Sequence, residues 1–315
     1  MIITREYSKH GNYCPAAVDI LGQVPSCAIF NVAHKLRHPE SIYKLSLEKV
    51  GAAFCEVAAA YLDKTEKCAL SENSETVDIA ELLTSLHKFL HALQEHVDEL
   101  WLVMKTLVDP SVSPSTSIFA ERYVTESKLA GAKSFAQAIR PYKAALRIVN
   151  KLKHQQGQLR GVVMRTTNGP HFGYFIEEPD EQGVLGPSPE IHPDQKAFSF
   201  ARELPWHLAN IYMCSEKLAD AVERALKAKA IIVRSSPSPG LLCWERVIEL
   251  ARTLPEAFFP ADIRRGIVLL AFDETSKSLT LRLPRRVQPR IPYIIKVGCT
   301  FKIDGHSPTF KTPLV

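Results

Sequence analysis

Residues 77–108 read VDIAELLTSLHKFLHALQEHVDELWLVMKTLV and carry the most regular pattern in the chain. Leucine, valine or methionine recurs in alternating steps of four and three, at positions 86, 90, 93, 97, 100, 104 and 107. Such a heptad repeat is typical of a long helix that packs along a partner helix. The partner is either the helix that the apolar spacing predicts over 40–63 or the same helix of a second subunit.

The segments that follow this helix alternate between helical and strand-like patterns. Apolar spacing and proline positions predict helices over 118–139, 141–155, 206–229 and 241–254. Pro141 suits a helix start, because the first turn does not need its missing N–H. Strand-like runs cover 160–166, 172–177, 266–272, 278–283 and 293–303. The Asn168-Gly169 pair between the first two runs favours a tight hairpin.

These elements predict an α+β protein built mainly from a helical bundle. We expect an irregular N-terminal segment over 1–38 and a helical domain over 39–228. A β-hairpin at about 160–177 would be inserted in that domain, and a smaller, basic, strand-rich domain would cover 229–315. The aromatic residues Phe172, Tyr174 and Phe175 are predicted to pack in the core, with base stacking as the alternative.

Composition excludes several classes of protein. Apolar residues make up 46% and charged residues 23% of the 315, which is close to the globular average. The seven cysteines are widely spaced and form no Cys-x-x-Cys motif, so neither a disulfide framework nor a zinc cluster is expected. The charged N-terminus does not look like a signal peptide, and no apolar run is long enough to span a membrane. We therefore expect a cytoplasmic protein without a membrane anchor.

Charge is unevenly distributed along the chain. Residues 40–115 hold 6 Lys or Arg against 13 Asp or Glu, whereas residues 117–156 hold 8 against 2 and residues 229–315 hold 14 against 7. Basic surfaces attract nucleic-acid phosphates, although the acidic and basic stretches could instead neutralise each other. In the tail, Arg285, Arg286 and Arg290 are candidate contacts for nucleic acid or an acidic protein partner, with ordinary solubilising charge as the alternative.

The predicted helix 141–155 has a chemically suggestive polar face. At about 100° per residue, its apolar side chains fall on one side and Lys143, Arg147, Asn150, Lys151 and His154 fall on the other. An imidazole can remove the proton of a ribose 2′-OH, and a guanidinium can bind phosphate oxygens. We therefore take Arg147, Asn150 and His154 as candidate catalytic residues, and Lys143 and Lys151 as candidate nucleic-acid contacts.

The segment from Arg147 to His154 resembles the Arg-x4–6-His motif of HEPN domains. The resemblance implies a helical bundle that acts on RNA as a homodimer, with two motifs forming one composite site. Many members are metal-independent endoribonucleases of toxin and antiphage defence systems. Carried over, Arg147 would contact phosphate and His154 would transfer a proton, without any cofactor. Ile148 stands where catalytic members usually have a polar residue, so an inactive HEPN-like scaffold is the second possibility.

Two further interpretations stay open at the level of sequence. The chain could be a non-catalytic interaction or nucleic-acid-binding protein that dimerises through its long helix. His87, His91 and Glu95 lie four positions apart on that helix and could hold a metal ion, although a solvated helix face explains them as well. No phosphate-binding Gly-rich loop, Gly-x-Ser-x-Gly or His-Glu-x-x-His motif occurs, which disfavours common nucleotide hydrolases, serine hydrolases and zincin proteases.

Overall fold

The structure is a computed structural model that shows a mixed helix and strand architecture. It describes residues 1–6, 13–70, 77–154, 157–166, 169–194, 196–232, 241–273, 275–276, 278–283 and 294–298. Helix predominates over strand in the residues that the structure describes. Arg285, Arg286 and Arg290 lie outside the described residues, so their role in binding stays a prediction.

Helices form most of the described chain. In chain order they are α1 (Ala17–Leu21), α2 (Pro39–Leu70), α3 (Ala80–Lys105), α4 (Ala120–Glu126), α5 (Ala132–Ala145), α6 (Arg147–His154), α7 (Phe200–Ala228), α8 (Leu242–Thr253) and α9 (Pro260–Arg265). None of these helices, in the part of the chain that the structure describes, combines the length and apolar character that a membrane crossing requires.

The strands form two antiparallel sheets. They are β1 (Ile2–Glu6), β2 (Gln158–Thr166), β3 (Gly169–Pro179), β4 (Leu185–Pro187), β5 (Phe198–Ser199), β6 (Leu269–Asp273), β7 (Ser278–Arg282) and β8 (Ile294–Gly298). One sheet has the order β1-β7-β6, and the other has the order β4-β3-β2-β8 with β5 paired to β3. The pairing of β2 with β3 therefore confirms the hairpin predicted from sequence, and β6 and β7 form a second antiparallel pair.

The heptad seam of α3 packs along α2 within a single chain. Every seam position from Leu86 to Leu107 is at most 2% exposed. Phe54 of α2 meets Phe89 of α3 edge to face, with ring centroids 5.7 Å apart. The predicted intramolecular partner is confirmed. The apolar seam is therefore not available to a second copy, and dimerisation of the chain stays a prediction.

Prolines do not mark helix boundaries where the sequence pattern placed them. Pro141 lies inside α5, and the helix breaks five residues later at Leu146, whose ψ is 2°. Pro205 lies inside α7, which begins at Phe200 rather than at Trp206. A proline removes one backbone hydrogen bond from a helix. Both helices continue through the proline, because the packing of their buried apolar faces outweighs the loss of one backbone hydrogen bond.

Packing crosses both predicted domain boundaries. Strand β1, from the N-terminal segment, pairs with β7 of the tail from Ile2↔Arg282 to Glu6↔Ser278. Strand β8 of the tail pairs with β2 of the hairpin. The same hydrophobic cluster contains Ile3, Leu90 and Leu281. The tail is thus integrated with the helical part through shared sheets and a shared core.

The hairpin packs tightly against the tail at Gly173 on β3. A Cβ atom at this position would overlap the Phe259 ring and the Phe198 carbonyl oxygen. Gly22, at the end of α1, has an ordinary right-handed backbone with φ −68°, and the nearest atom to a Cβ added there is a Glu40 side-chain oxygen at 3.4 Å. These two glycines therefore differ in what an added methyl group would contact.

We predict that Gly173→Ala lowers the free energy of unfolding by about 1–3 kcal/mol, because overpacking forces the neighbouring ring and strand apart. Gly22→Ala, the matched control, is expected to change it by less than about 0.5 kcal/mol. Urea unfolding followed by circular dichroism measures both variants. Equal stabilities for Gly173→Ala and the native chain would contradict the close contact between β3 and Phe259.

Candidate functional site

The break between α5 and α6 sets the orientation of the predicted site residues. Because Leu146 leaves the helical conformation, α6 is a separate helix that begins at Arg147. Ile148 and Val149 are buried and anchor α6 to the core, whereas Arg147 and Asn150 face outward. The continuous helical face predicted from Lys143 to His154 is therefore corrected to two shorter faces on two helices.

Three of the predicted residues nevertheless meet in one open cleft, which we call the Arg147 cleft. Its volume is about 240 Å³. Its lining residues come from α3, α5, the junction and α6: Gln94, Val97, Asp98, Arg140, Lys143, Ala144, Leu146, Arg147 and Asn150. Lys143, Arg147 and Asn150 are thus brought together, with Arg140 as an additional cation that sequence analysis did not single out.

His154 lies apart from this cleft. It is exposed at the last position of α6, seven residues after Arg147, which corresponds to about 10.5 Å along a helix axis. Among the described residues, neither His154 nor Lys151 forms part of the cleft wall. A single chain therefore does not bring the predicted guanidinium and imidazole into one concave site.

Carboxylates already engage the two predicted lysines. The Lys151 ammonium lies 2.9 Å from both Glu178 and Glu190, and its side chain is only 13% exposed. Burial works against the charge of Lys151, but its hydrogen bonds to these carboxylates outweigh burial and raise its pKa. Lys143 pairs with Glu121 of α4. Lys151 therefore stabilises the fold rather than presenting a free charge.

Arg147 is more exposed than the other two predicted cations, Lys143 and Lys151. Its side chain is 65% exposed, and its nearest ion-pair partner, Glu190, is 3.7 Å away. An exposed pair at this distance contributes roughly 0–1 kcal/mol, so a phosphate could replace it at little cost. Beside it, Asn150 accepts a 3.3 Å hydrogen bond from the side chain of Gln94. In the same cleft, burial raises the pKa of Asp98, although Lys143 opposes the shift.

His171, Arg265 and the aromatic residues of β3 have structural roles. His171 is buried, and its Nδ1 lies 3.0 Å from the carbonyl oxygen of Phe258. Arg265 of the tail donates to Asp194 at 2.6 Å and lies over the Phe198 ring. Phe172, Tyr174 and Phe175 are at most 1% exposed, which confirms their predicted place in the core.

The candidate metal ligands on α3 form a histidine pair. The His87 and His91 rings lie 4.4 Å apart, with their Nε2 atoms separated by 3.3 Å. Glu95 is instead placed near Lys49, at 3.9 Å. Within the described ranges, no group of three or more histidine, cysteine, aspartate or glutamate side chains is arranged to hold a metal ion.

A second cleft, which we call the His207 cleft, lies on the other side of Ala144. Its volume is also about 240 Å³. Its lining residues come from α3, α5, α6, the hairpin, the β4–β5 loop, β5 and α7: Leu90, Ala144, Ala145, Ile148, Tyr174, Glu190, Ile191, Phe198, Arg202, Glu203, Trp206 and His207. The two clefts share Ala144, so they are neighbours on the surface.

The polar groups of the His207 cleft are buried and closely connected. Tyr142 and the Nδ1 atom of His207 are 3.1 Å apart, and the Tyr174 hydroxyl donates to Glu203 at 3.4 Å. His207 Nε2 lies 3.8 Å from Glu203 and has no hydrogen-bond partner. Burial lowers the pKa of His207 to about 3, so this contact is not an ion pair at neutral pH. Burial also raises the pKa of Glu203, against the opposing charge of Arg202.

The sequence pattern does not reveal this cluster, because the apolar spacing predicts a helix only over 206–229 and leaves Glu203 outside it. Glu203 and His207 are four positions apart on α7, and that spacing places both on one helix face. Ser199 caps the helix by accepting a hydrogen bond from the Arg202 amide. A serine followed by an uninterrupted apolar period is the signal that could have located the start of α7 correctly.

Three buried histidines near the hairpin and the helices predict a strong pH dependence of stability. Burial lowers the pKa of His96 and His192 to about 4 and that of His207 to about 3, from 6.5 in the unfolded chain. Below pH 6.5 the unfolded chain therefore binds up to three protons that the folded chain does not bind. The free energy of unfolding therefore falls as pH decreases from 6.5 towards 4.

We predict that the three histidines together make the free energy of unfolding change by at most roughly 4 kcal/mol per pH unit. Glu203 and Asp262 reduce this slope, because burial raises their pKa values and the folded chain then binds protons that the unfolded chain does not. His192→Gln should reduce the slope by up to roughly 1.4 kcal/mol per pH unit, because glutamine does not titrate. Urea unfolding at several pH values between 7 and 4.5 measures this. An unchanged slope in His192→Gln would contradict this prediction, because it would mean that His192 binds its proton equally well in the folded and the unfolded chain.

Comparisons with known proteins give no relative from which a role for either cleft could be inferred. No model of a known protein family, no curated protein and no solved structure matches this chain. The resemblance to HEPN domains therefore rests on Arg147 to His154 alone and stays a hypothesis.

Proposed function

We propose that this protein acts on RNA and that the Arg147 cleft binds its phosphate backbone. The observation that carries the proposal is the convergence of Arg140, Lys143 and Arg147, with the Asn150 amide, on one open cleft. A guanidinium binds phosphate oxygens through parallel hydrogen bonds, and Arg147 is both exposed and weakly paired. The cleft is thus a binding site for an anion of phosphate size.

Polynucleotide rather than a small phosphate ester fits the distribution of charge. The net charge is +5, and residues 117–156 hold 8 basic against 2 acidic side chains. Counterion release from several phosphates would add to the affinity of the cleft itself. We include a cytoplasmic location in the proposal, because the widely spaced cysteines do not form the pattern of a secreted disulfide framework.

A second candidate function is metal-independent RNA cleavage, favoured by the exposure of both Arg147 and His154 on α6. His154 would remove the proton from a 2′-OH, and O2′ would attack phosphorus. The P–O5′ bond would break, giving a 2′,3′-cyclic phosphate and a 5′-hydroxyl that takes up a proton. Because Arg147 and His154 are far apart in one chain, the reaction would need a composite site in a homodimer, as the HEPN resemblance implies.

We predict that Arg147→Glu weakens binding of a fluorescein-labelled single-stranded RNA by about tenfold or more, since it removes a phosphate contact and adds repulsion. Its salt dependence should also become shallower, by a slope of about 1. Arg246→Glu is the matched control, because Arg246 is 62% exposed and likewise has a glutamate neighbour. Fluorescence anisotropy at several salt concentrations measures both variants.

The comparison has two outcomes against the proposal. An equal loss of affinity in Arg147→Glu and Arg246→Glu would mean that RNA binds through general surface charge. Absence of binding by the native chain would remove the RNA function altogether.

For the cleavage reaction, we predict that His154→Ala slows RNA degradation in the presence of EDTA by about 100-fold or more, the usual contribution of a general base. His38→Ala serves as the control histidine, since His38 precedes α2 and lies outside both clefts. Products are resolved on gels and tested for a terminal cyclic phosphate. Equal cleavage by native protein and His154→Ala, or none by either, would exclude catalysis and leave the binding function.

A further inference from the structure

The His207 cleft contains a buried polar atom that the fold leaves without a partner. His207 is 3% exposed, and its Nδ1 is already in contact with Tyr142. Its Nε2 has no hydrogen bond, and the nearest carboxylate oxygen, on Glu203, is 3.8 Å away. A buried polar atom without a partner costs about 1–3 kcal/mol. A ligand group about 2.9 Å from each atom could bridge His207 and Glu203 and recover that energy.

The walls of the cleft suit a flat apolar ring. Leu90, Ile148 and Ile191 provide aliphatic surface, and Phe198 and Trp206 provide aromatic surface. The volume of about 240 Å³ is below the range of about 300–1,000 Å³ that is usual for drug-sized ligands. One small ring system with a polar edge therefore matches the cleft better than a larger or an acyclic polar ligand.

The charges at the floor favour a neutral ligand. Arg202 forms an ion pair with Glu203 and also donates a hydrogen bond to the Gly266 carbonyl at 3.3 Å, so its positive charge is already compensated. Glu190 at the rim adds negative charge, which disfavours a phosphate in this cleft. A carboxylate beside a neutral imidazole offers acceptor and donor positions side by side, which match the amino and ring-nitrogen edge of a nucleobase.

The position of the cleft links it to the phosphate site. Ala144 lines both clefts. Glu190 lines the His207 cleft and lies 3.7 Å from the Arg147 guanidinium. Ligands in the two clefts would therefore lie on either side of Ala144, a separation that a base and its neighbouring phosphate can span.

We propose that the His207 cleft is a pocket for a single nucleobase, turned out of an RNA strand whose phosphate occupies the Arg147 cleft. His207 and Glu203 read the polar edge of the base, and Trp206, Phe198 and Ile148 enclose its faces. Sequence-selective RNA-binding proteins commonly hold unstacked bases in this way. The inference rests on the proposed function, but nucleosides lack phosphate and so test the pocket separately.

The experiment titrates the full-length protein with adenosine, guanosine, cytidine and uridine. Trp101 and Trp244 are at most 1% exposed, whereas Trp206 is half-buried at the cleft, so quenching of tryptophan fluorescence by acrylamide reports on Trp206. We expect saturable protection from quenching by one or two of the four nucleosides. Isothermal titration calorimetry with the same nucleosides gives the dissociation constants.

Two variants test the assignment of the pocket. Ala145 is exposed and lines only the His207 cleft, so Ala145→Phe fills it from the rim without disturbing the core. We expect at least tenfold weaker nucleoside binding, whereas Ala59→Phe, at an exposed position of α2, should bind normally. His207→Phe removes Nε2 and should also lose binding, provided that urea unfolding shows a cooperative transition.

The outcomes separate the two proposals. Failure of all four nucleosides to bind, or binding that is unchanged in Ala145→Phe, would overturn the base pocket even if Arg147→Glu still loses RNA affinity. Nucleoside binding that is lost in Ala145→Phe, in a protein that does not bind RNA, would sustain the pocket and overturn the phosphate site.

Discussion

The arrangement of the His207 cleft depends on a buried network of charges around the start of α7. Arg202 and Glu203 are side by side with at most 11% of either side chain exposed. Asp262 of α9 accepts hydrogen bonds from the amides of Ser199 and Phe259, which joins the tail to the helix start. Removing one member of a buried pair costs about 3–5 kcal/mol, because the other charge is left uncompensated. The network therefore fixes where α7, β5 and α9 meet.

The second determining feature is the break at Leu146. Without it, α5 and α6 would form one straight helix and the polar face would be a flat stripe. With it, Leu146 turns inward and is 3% exposed, and the polar side chains of α5 and α6 converge with Gln94 and Asp98 of α3. A cleft that excludes some water strengthens every electrostatic contact within it. The break thus converts scattered charges into a concave site.

The sequence was sufficient to predict what depends on local periodicity. The heptad seam identified α3 and its α2 partner, and the Asn168-Gly169 pair located the β2-β3 hairpin. It was insufficient for features that long-range packing decides. Pro141 and Pro205 are local helix breakers that buried faces override, and nothing in the residues around Leu146 marks a break. The approach of α3 to Arg147, and the pairing of Lys151 with Glu178 and Glu190, join segments far apart in sequence and cannot be derived from spacing.

Glu190 explains how the two clefts could act together. Its carboxylate contacts Lys151 at 2.9 Å and Arg147 at 3.7 Å, and it also lines the His207 cleft. Lys151 retains Glu178 when Glu190 moves, so Arg147 can exchange its carboxylate for a phosphate without leaving a buried charge unpaired. A strand that places a base beside Glu190 and a phosphate on Arg147 would therefore replace a long contact between two exposed side chains. Phosphate binding as proposed would thus disturb only the exposed ion pair of Arg147 and leave the buried pair of Lys151 and Glu178 intact.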